Sequence, residues 1–592
     1  MNAKALVLLR VGSALLVGAG CAVYAPFSAF AFTPGAVLRF LLWGGLGYLS
    51  TGRLRGKLHR RLLRYALPLS FLLALSFALG AALQREAALR FHALDFLALT
   101  GIWALCFPLL CHLLIRTAGQ PRAAKAKLPF NRRRLFVTVF LGSFALACVW
   151  LLAFFPIMTN YDIQAHMTQV VSGEYDTHHA LLYTLLIRGL LSAAALLGLG
   201  AEWAFLLLGL LQAAALGLAA AYGVVTMQRQ AASRGAVIAA AVYYCAFPLF
   251  GYFAFSTTKD TLFAVCLLLT GIELYRVSRE PRNAAAMVRM ALFGVLVCLL
   301  RHNGTLTLSL LGAAAALHAL YHLLRHRAVS GLCLRVLALV PVTVALASGA
   351  GTLLNRAIGA VTPDTVVRDI MSLPLQQMAR ALQDARDEAD AARIEGLFGV
   401  SDIRERYRPD IADPVKAAFL YPDRNTPNAL RAWLKLSVKY PAAYLEAFLQ
   451  LTRGAWFTDD LSHTKIDYWL ADAGYLETMQ KYNGPDYPVA YRTFLPGLRT
   501  FLEDAFMNNR YLDVPGLRYL FALGVQTWIA VIAFFYAAYQ RRTHAMRLAL
   551  FALCALLPVF LLPCMISRYF LPLFLFNPLC LLALTTRKEN AA

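Results

Sequence analysis

The sequence predicts an all-α polytopic membrane protein, on three observations. Of 592 residues, 59% are hydrophobic and only 15% charged, against roughly a quarter charged in soluble domains. Apolar runs recur that are long enough, at about 18 residues, to cross a hydrocarbon core of roughly 30 Å. Lys and Arg, which give a net charge of +24, fall in short segments between those runs: 53–64, 116–134, 229–234, 276–289, 325–335 and 541–547. That is how positive charge is distributed over cytoplasmic loops. The same segments lack the interleaved aromatics on which single-stranded nucleic acid stacks, so no nucleic-acid partner is expected.

The five opening spans are expected near 5–30, 36–51, 63–84, 92–115 and 135–155. The first resembles a signal anchor, but further spans follow and no small-residue cleavage site stands out, so it is read as a retained helix. Placing the basic loops at 53–64 and 116–134 inside sets the N-terminus inside and the segment after Phe155 outside.

The apolar stretch 181–199 decides the remaining topology. If it crossed, Arg229 to Arg234 and every later basic loop would fall outside. Laid along the outer surface, it lets 202–227 return, and the spans 235–254, 261–277, 286–301, 304–324 and 331–353 then alternate with each basic loop inside. Arg188 in its middle suits an interfacial helix, because charge at mid-bilayer is costly.

A long polar segment, 354–512, precedes the final spans near 515–537, 547–563 and 570–586. It holds about two-thirds of all Asp and Glu but about one-third of Lys and Arg, a balance suited to the translocated side. Asp384 to Leu397 and Leu430 to Thr452 read as helices, separated by turns bearing Pro409, Pro414, Pro422, Pro427 and Pro441. The expectation is about fourteen transmembrane helices with both termini inside, an extracytoplasmic surface helix, and a mainly helical extracytoplasmic domain. No strand period and no internal repeat are visible.

All eleven cysteines (21, 106, 111, 148, 245, 266, 298, 333, 554, 564 and 580) lie in or beside apolar segments without CxxC spacing. They read as small membrane-buried residues rather than metal or disulfide chemistry. There is no GxxxxGK[ST] loop and no HExxH. His318, His322 and His326 could form a metal stripe, but snorkelling beside Arg325 and Arg327 explains them better. Asp459-Asp460 reads as a solvated turn. No cofactor is expected; a divalent metal remains conceivable without a clear ligand set.

Four polar constellations are not explained by the bilayer. The outer segment Asn160-Tyr161-Asp162-Ile163-Gln164-Ala165-His166, with Gly173-Glu174-Tyr175-Asp176-Thr177-His178-His179, sets carboxylates and histidines just beyond a span. A partly desolvated Asp there can act as general base; a solvated loop or a helix cap would use the same residues. Ser256-Thr257-Thr258-Lys259-Asp260-Thr261 reads either as a site or as a hairpin in which Lys259 snorkels and Asp260 caps the next helix. Arg301-His302-Asn303-Gly304 splits an apolar stretch, and an Arg at that depth must face protein, water or an anion, a lipid phosphate being a natural partner. Ser567-Arg568-Tyr569 repeats that logic at the end of a late span.

Taken together these motifs resemble membrane glycosyltransferases of the GT-C fold, and more closely a bacterial family of largely uncharacterised GT-C-like membrane proteins. The resemblance rests on Tyr161-Asp162 with Gln164, Gly173 with Tyr175, His178-His179 with Tyr183-Thr184, Thr258-Lys259-Asp260-Thr261 with Phe263, and Arg301-His302-Asn303-Gly304. It continues through Leu373-Pro374-Leu375-Gln376-Gln377 with Ala379-Arg380, Tyr407-Arg408-Pro409, Asp413-Pro414-Val415-Lys416, and Arg568-Tyr569. It covers roughly 135–580; Ala180 stands where the family usually has Pro. Residues 1–116 lie outside it as an accessory module, ahead of a transmembrane core (135–353), the outer domain (354–512) and the C-terminal helices (513–592).

The resemblance implies an inverting transferase of the bacterial inner membrane, moving a sugar from a polyprenyl-phosphate carrier to an envelope glycan, lipid or protein on the extracytoplasmic face. Asp162 would be the catalytic base. Arg301 and Arg568 would hold the phosphate, and Lys259, Asp260, Gln376, Gln377 and Arg380 would close the site. Glu174, His178, His179, His302, Asn303 and Tyr569 would line it. The alternative of another class is a lipid or oligosaccharide transporter, which predicts inverted repeats and polar groups at mid-membrane.

Overall fold

Backbone amides removed from water must be satisfied within their own segment, so apolar runs of this length fold as helices. A computed structural model describes residues 3–23, 34–52, 54, 58–86, 88–116, 131–160, 162–230, 232–326, 331–385, 387–419, 422–461, 489, 491–514 and 516–585. Among these residues every extended element is helical and the only β pairing is in isolated bridges. The centre of the basic loop 116–134, Tyr161, Arg327 and residues 462–488 lie outside the described residues.

The N-terminal helices are α1 (Ala3–Val23), α2 (Pro34–Gly52), α3 (Arg60–Glu86) and α4 (Ala93–Arg116). Next come α5 (Arg132–Ala153), α6 (Ile163–Ser172), α7 (Leu181–Leu196), α8 (Ala201–Arg229), α9 (Arg234–Ala246), α10 (Pro248–Ala254), α11 (Lys259–Arg279), α12 (Ala284–Leu300), α13 (His302–His326) and α14 (Gly331–Ile358). Among the described residues eight helices are long and apolar enough to cross a membrane, or nine with the bent pair α9–α10. Leu41, Leu42, Val242, Val288, Leu292, Leu346 and Leu353 are exposed on the helix bundle, an apolar surface that only lipid covers at this extent. The chain is a multi-pass membrane protein.

The helix expected over 235–254 is broken. Pro248 has no N–H to give, Phe247 is extended, and the two halves meet at 49°. α11 is the most enclosed of the eight, with 83% of its apolar window buried, and α8, α12 and the helices Thr543–Leu556 and Ser567–Thr585 pack on it.

The helices sort by end. Arg132, Arg229, Arg234, Arg276, Arg279, Arg289 and Arg335 stand at one end of α5, α8, α9, α11, α12 and α14. The opposite ends converge on Asp162, Ser256, Lys259 and Arg301. α7 begins at that second end and leads into α8, whose Trp203 ring meets Phe155, just past the close of α5, edge-on at 6.4 Å. Both its ends therefore lie at that end of the bundle, and Arg188 donates to the Tyr175 hydroxyl at 2.8 Å.

Residues 364–456 form a lobe of α15 (Asp364–Ile370), α16 (Ser372–Asp384), α17 (Glu388–Phe398), α18 (Ile403–Arg406), α19 (Asp413–Ala417), α20 (Pro422–Lys439) and α21 (Pro441–Trp456). It has its own core of Leu375, Met378, Leu382, Ile394, Phe398 and Phe419. The single helix expected over 430–452 is two helices parted at Tyr440, because Pro441 opens a new first turn, whereas Pro427 is carried inside α20. α22 (Pro496–Leu502) and α23 (Leu517–Phe521) lead to α24 (Leu523–Tyr539), α25 (Thr543–Leu556) and α26 (Ser567–Thr585). The turn at Asp459-Asp460 is not solvated as expected: Asp460 is fully buried against Arg453, at 2.6 Å. α3 and α4 pack on α24 and α25 through Leu62, Cys111, Leu114, Tyr536 and Ala545.

Candidate functional site

The breaks that end α5 and α10 expose backbone amides, which must find partners when buried. They find each other. The Met158 amide donates to Phe255 O at 2.8 Å, and the Thr257 amide donates to Met158 O at 2.9 Å. Gln212, from the middle of α8, donates to the Ser256 and Ala254 carbonyls at 2.8 and 3.2 Å. This parallel stitch holds Asn160–Asp162 beside Thr258–Asp260.

On that frame sit three cations and two carboxylates. Lys259 Nζ donates to Asp162 Oδ2 at 2.7 Å, and Arg568 Nη1, from the first turn of α26, lies 3.1 Å from the same oxygen. Arg568 also donates to Asn160 Oδ1 at 3.0 Å. Arg301, at the break between α12 and α13, pairs with Asp260 Oδ1, and Arg568 Nε lies 3.9 Å from Asp260 Oδ2. The Tyr569 ring is shared, with guanidinium carbons of Arg301 and Arg568 at 4.8 and 5.1 Å from its centroid. No side chain of the five charged groups is more than 13% exposed. Three positive and two negative charges leave the cluster with one positive charge in excess, and a buried excess charge calls for an anion.

Asp162 occupies the N-cap position of α6 yet makes no capping hydrogen bond with its side chain, so the capping account of this residue does not hold. Burial alone would raise its pKa, but the Lys259 ammonium and the Arg568 guanidinium outweigh that and hold the carboxyl well below the usual carboxylate range. His179 Nδ1 lies 3.1 Å from Lys259 Nζ. The ammonium can only donate, so this nitrogen accepts and the ring proton sits on Nε2. Burial, reinforced by Lys259, pushes the His179 pKa down.

The remaining expected residues divide. His178 stacks obliquely on His179 at 4.5 Å, with its Nδ1 3.8 Å from Asp369 of the lobe. His302 Nε2 meets Thr177 O at 3.1 Å. Asn303 is half-buried, and its carbonyl accepts from Thr307. Glu174 is exposed on the loop after α6 and is not brought to the cluster. Gln376, Gln377 and Arg380 turn into the lobe instead. Gln376 donates to Arg408 O at 2.5 Å, Gln377 bonds Tyr444 O and Trp433 Nε1 at 3.1 and 2.8 Å, and Arg380 Nε donates to Glu446 at 2.5 Å. Their contacts fold the lobe and leave the charged cluster to others. The lobe reaches the site by its edge: Ala412 N donates to Pro563 O at 2.7 Å, ahead of Arg568, and Val361, just before the lobe begins, bridges Asp176.

Two further residues of the segment 160–166 stand in the site, although their motif does not single them out. Asn160 binds Arg568, and His166 packs on His179 at 5.1 Å. A groove of about 280 Å³ opens beside His179, between the start of α7, the α12–α13 break and the end of α14, lined by Ala180, Leu182, Leu299, His302, Ala347 and Gly351.

A family model matches residues 173–592 and is described as a family of unknown function, DUF6020. No curated protein and no solved structure matches the chain. The matched span holds Lys259, Asp260, Arg301, Arg568 and the whole lobe, and it opens after Asp162. It covers well over half of the sequence, so this multi-pass membrane protein belongs to the family of unknown function DUF6020.

Proposed function

We propose that the chain is a membrane glycosyltransferase with a GT-C-like arrangement, carried by about fourteen membrane-crossing helices with both termini cytoplasmic. It moves a sugar from a polyprenyl-phosphate carrier to an envelope acceptor on the extracytoplasmic face. The observation that supports this most is the joining of Asp162 to Lys259, Arg568, Asp260 and Arg301 in one buried cluster, at the helix ends opposite the basic loops. An anionic headgroup held at that level meets three cations, and the groove beside His179, lined by Ala180, Leu182, Leu299 and Ala347, offers an apolar place for a prenyl chain.

The ion pairs also set an order of events. While Lys259 and Arg568 hold Asp162, its carboxylate is a poor base. A phosphate that takes those cations brings its own negative charge beside Asp162, which raises the carboxyl's proton affinity. The carboxylate then accepts the proton of the acceptor hydroxyl as that oxygen bonds to the anomeric carbon. The carbon–oxygen bond to the phosphate breaks on the opposite face, and the leaving phosphate keeps the electron pair under Arg301 and Arg568.

The test is Asp162→Asn in cells, with lipid-linked sugars and envelope glycans profiled. The proposal expects the lipid-linked donor to accumulate and one glycan decoration to disappear. A normally expressed variant with an unchanged profile overturns the assignment.

A further inference from the structure

Asp162, His166 and Gln169 follow at i, i+4 and i+7, which places them on one stripe of α6 over about 10 Å of helix. All three are buried, at 8%, 0% and 4% exposure. Below the charged first position, the stripe carries polar atoms that have no hydrogen-bond partner among the described residues: His166 Nε2 and both the Nε2 and Oε1 atoms of Gln169. Asn160 Nδ2 and Ser256 Oγ, in the stitched loops that flank Asp162, share that state in residues 1% and 0% exposed. Native interiors leave few such atoms unmet, and five of those in the described residues lie on the two segments that carry Asp162 and Lys259.

The His166 ring is fixed rather than loose. Its Nδ1 bonds Thr184 Oγ1 at 2.8 Å, and the ring packs against Tyr183 and His179 at 5.2 and 5.1 Å. That leaves Nε2 as the atom free to meet a ligand. Burial, with Lys259 adding to it, pushes the imidazole pKa down to about 3, so the ring is neutral. Gln169 is neutral by nature and offers a donor and an acceptor together.

Resting on the glycosyltransferase reading, we propose that the His166–Gln169 stripe of α6, with Asn160, is a subsite for the hydroxyl groups of a neutral sugar ring. Uncharged groups that both donate and accept suit hydroxyls, which do the same, whereas the phosphate is left to Lys259, Arg301 and Arg568. The ring bound there is either the sugar of the donor or the terminal sugar of the acceptor. In both cases its hydroxyls lie next to the Asp162 carboxylate.

The full chain in lipid nanodiscs is titrated with the methyl glycosides of glucose, galactose, mannose and N-acetylglucosamine by saturation-transfer NMR, and separately with geranyl phosphate. At least one glycoside is expected to bind. Gln169→Leu and His166→Phe, which keep size and shape, are each expected to weaken it about three- to tenfold, the worth of a neutral hydrogen bond, while changing geranyl phosphate affinity by less than about twofold. Displacement of the glycoside by a geranyl-phosphate-linked sugar but not by geranyl phosphate assigns the subsite to the donor; joint binding assigns it to the acceptor. Equal glycoside affinity in wild type and variants overturns the subsite, as does binding of geranyl phosphate without any glycoside. Binding of neither probe overturns the glycosyltransferase reading as well.

Discussion

The ammonium of Lys259 and the carboxylate of Asp162 meet at 2.7 Å across 97 positions of chain, with less than a tenth of either residue exposed. A buried pair of this kind repays its desolvation only when the rest of each group is also engaged. Here Arg568 takes the same carboxylate oxygen and His179 the ammonium. Arg568 also links this pair to Asp260 and Arg301, so the five charges behave as one unit.

Breaking that unit on one side should be costly. Arg301→Ala leaves Asp260, 1% exposed, with the Thr258 hydroxyl and the more distant Arg568 as its partners, and is expected to destabilise the fold by about 3–5 kcal/mol. Arg301→Ala combined with Asp260→Ala should recover much of that loss, because the buried carboxylate that lost its partner is removed with it. Thermal unfolding of the three variants in one detergent measures the coupling; an additive double variant contradicts it.

Acid should loosen the protein in a window to which His166 contributes beside His179, whose pKa burial also lowers. The unfolded His166 imidazole takes a proton near the ordinary value of 6.5, but the folded ring does so only near 3. Between those values the unfolded chain binds more protons, so stability falls as pH is lowered from 6.5 towards 3. Asp162 acts later: its folded pKa lies well below 3.8, so its contribution is intact above 3.8 and drains as pH falls through the folded value. Unfolding midpoints recorded from about pH 7 to 4 should decline in wild type and decline less in His166→Phe.

The glycine that follows Arg301-His302-Asn303 is a packing requirement. A Cβ on Gly304 would lie 2.3 Å from the Val297 carbonyl oxygen, so Gly304→Ala must push the start of α13 off the end of α12. It is expected to cost about 1–3 kcal/mol and to reduce function by moving Arg301. Gly189→Ala, on α7 with nothing within 4 Å of the new atom, should change neither. Unfolding temperature and glycan profile together separate the two.

Arg380 tests the placement of the lobe residues. It binds Glu446, which is 5% exposed and also accepts the Leu89 amide at 2.9 Å, so the pair ties the lobe to the turn between α3 and α4. Arg380→Gln should lower the unfolding temperature while leaving geranyl phosphate affinity within about twofold. A large loss of that affinity at unchanged stability would return Arg380 to the charged site.

The bilayer made much of this architecture readable. It forbids unpaired charge in its interior, so Asp162, Lys259, Arg301 and Arg568 stood out against apolar surroundings. The break at Phe247–Pro248 was less visible, because the span keeps its hydropathy across the proline. In the lobe the same rule fails: polar residues are ordinary there, and Gln376, Gln377 and Arg380 could not be told from residues that fold the lobe. His166 and Gln169 were legible only as a helical stripe, and the loop-like polarity around Asp162 masked the three- and four-residue spacing.

The most direct test is a density map of the protein in nanodiscs supplied with undecaprenyl phosphate. The account predicts the phosphate within hydrogen-bond reach of Arg301 and Arg568, with Lys259 drawn from Asp162 towards it and the prenyl chain in the groove beside His179. A phosphate bound at the end of the bundle that carries Arg229 and Arg276, with the Lys259–Asp162 contact unchanged, would contradict it.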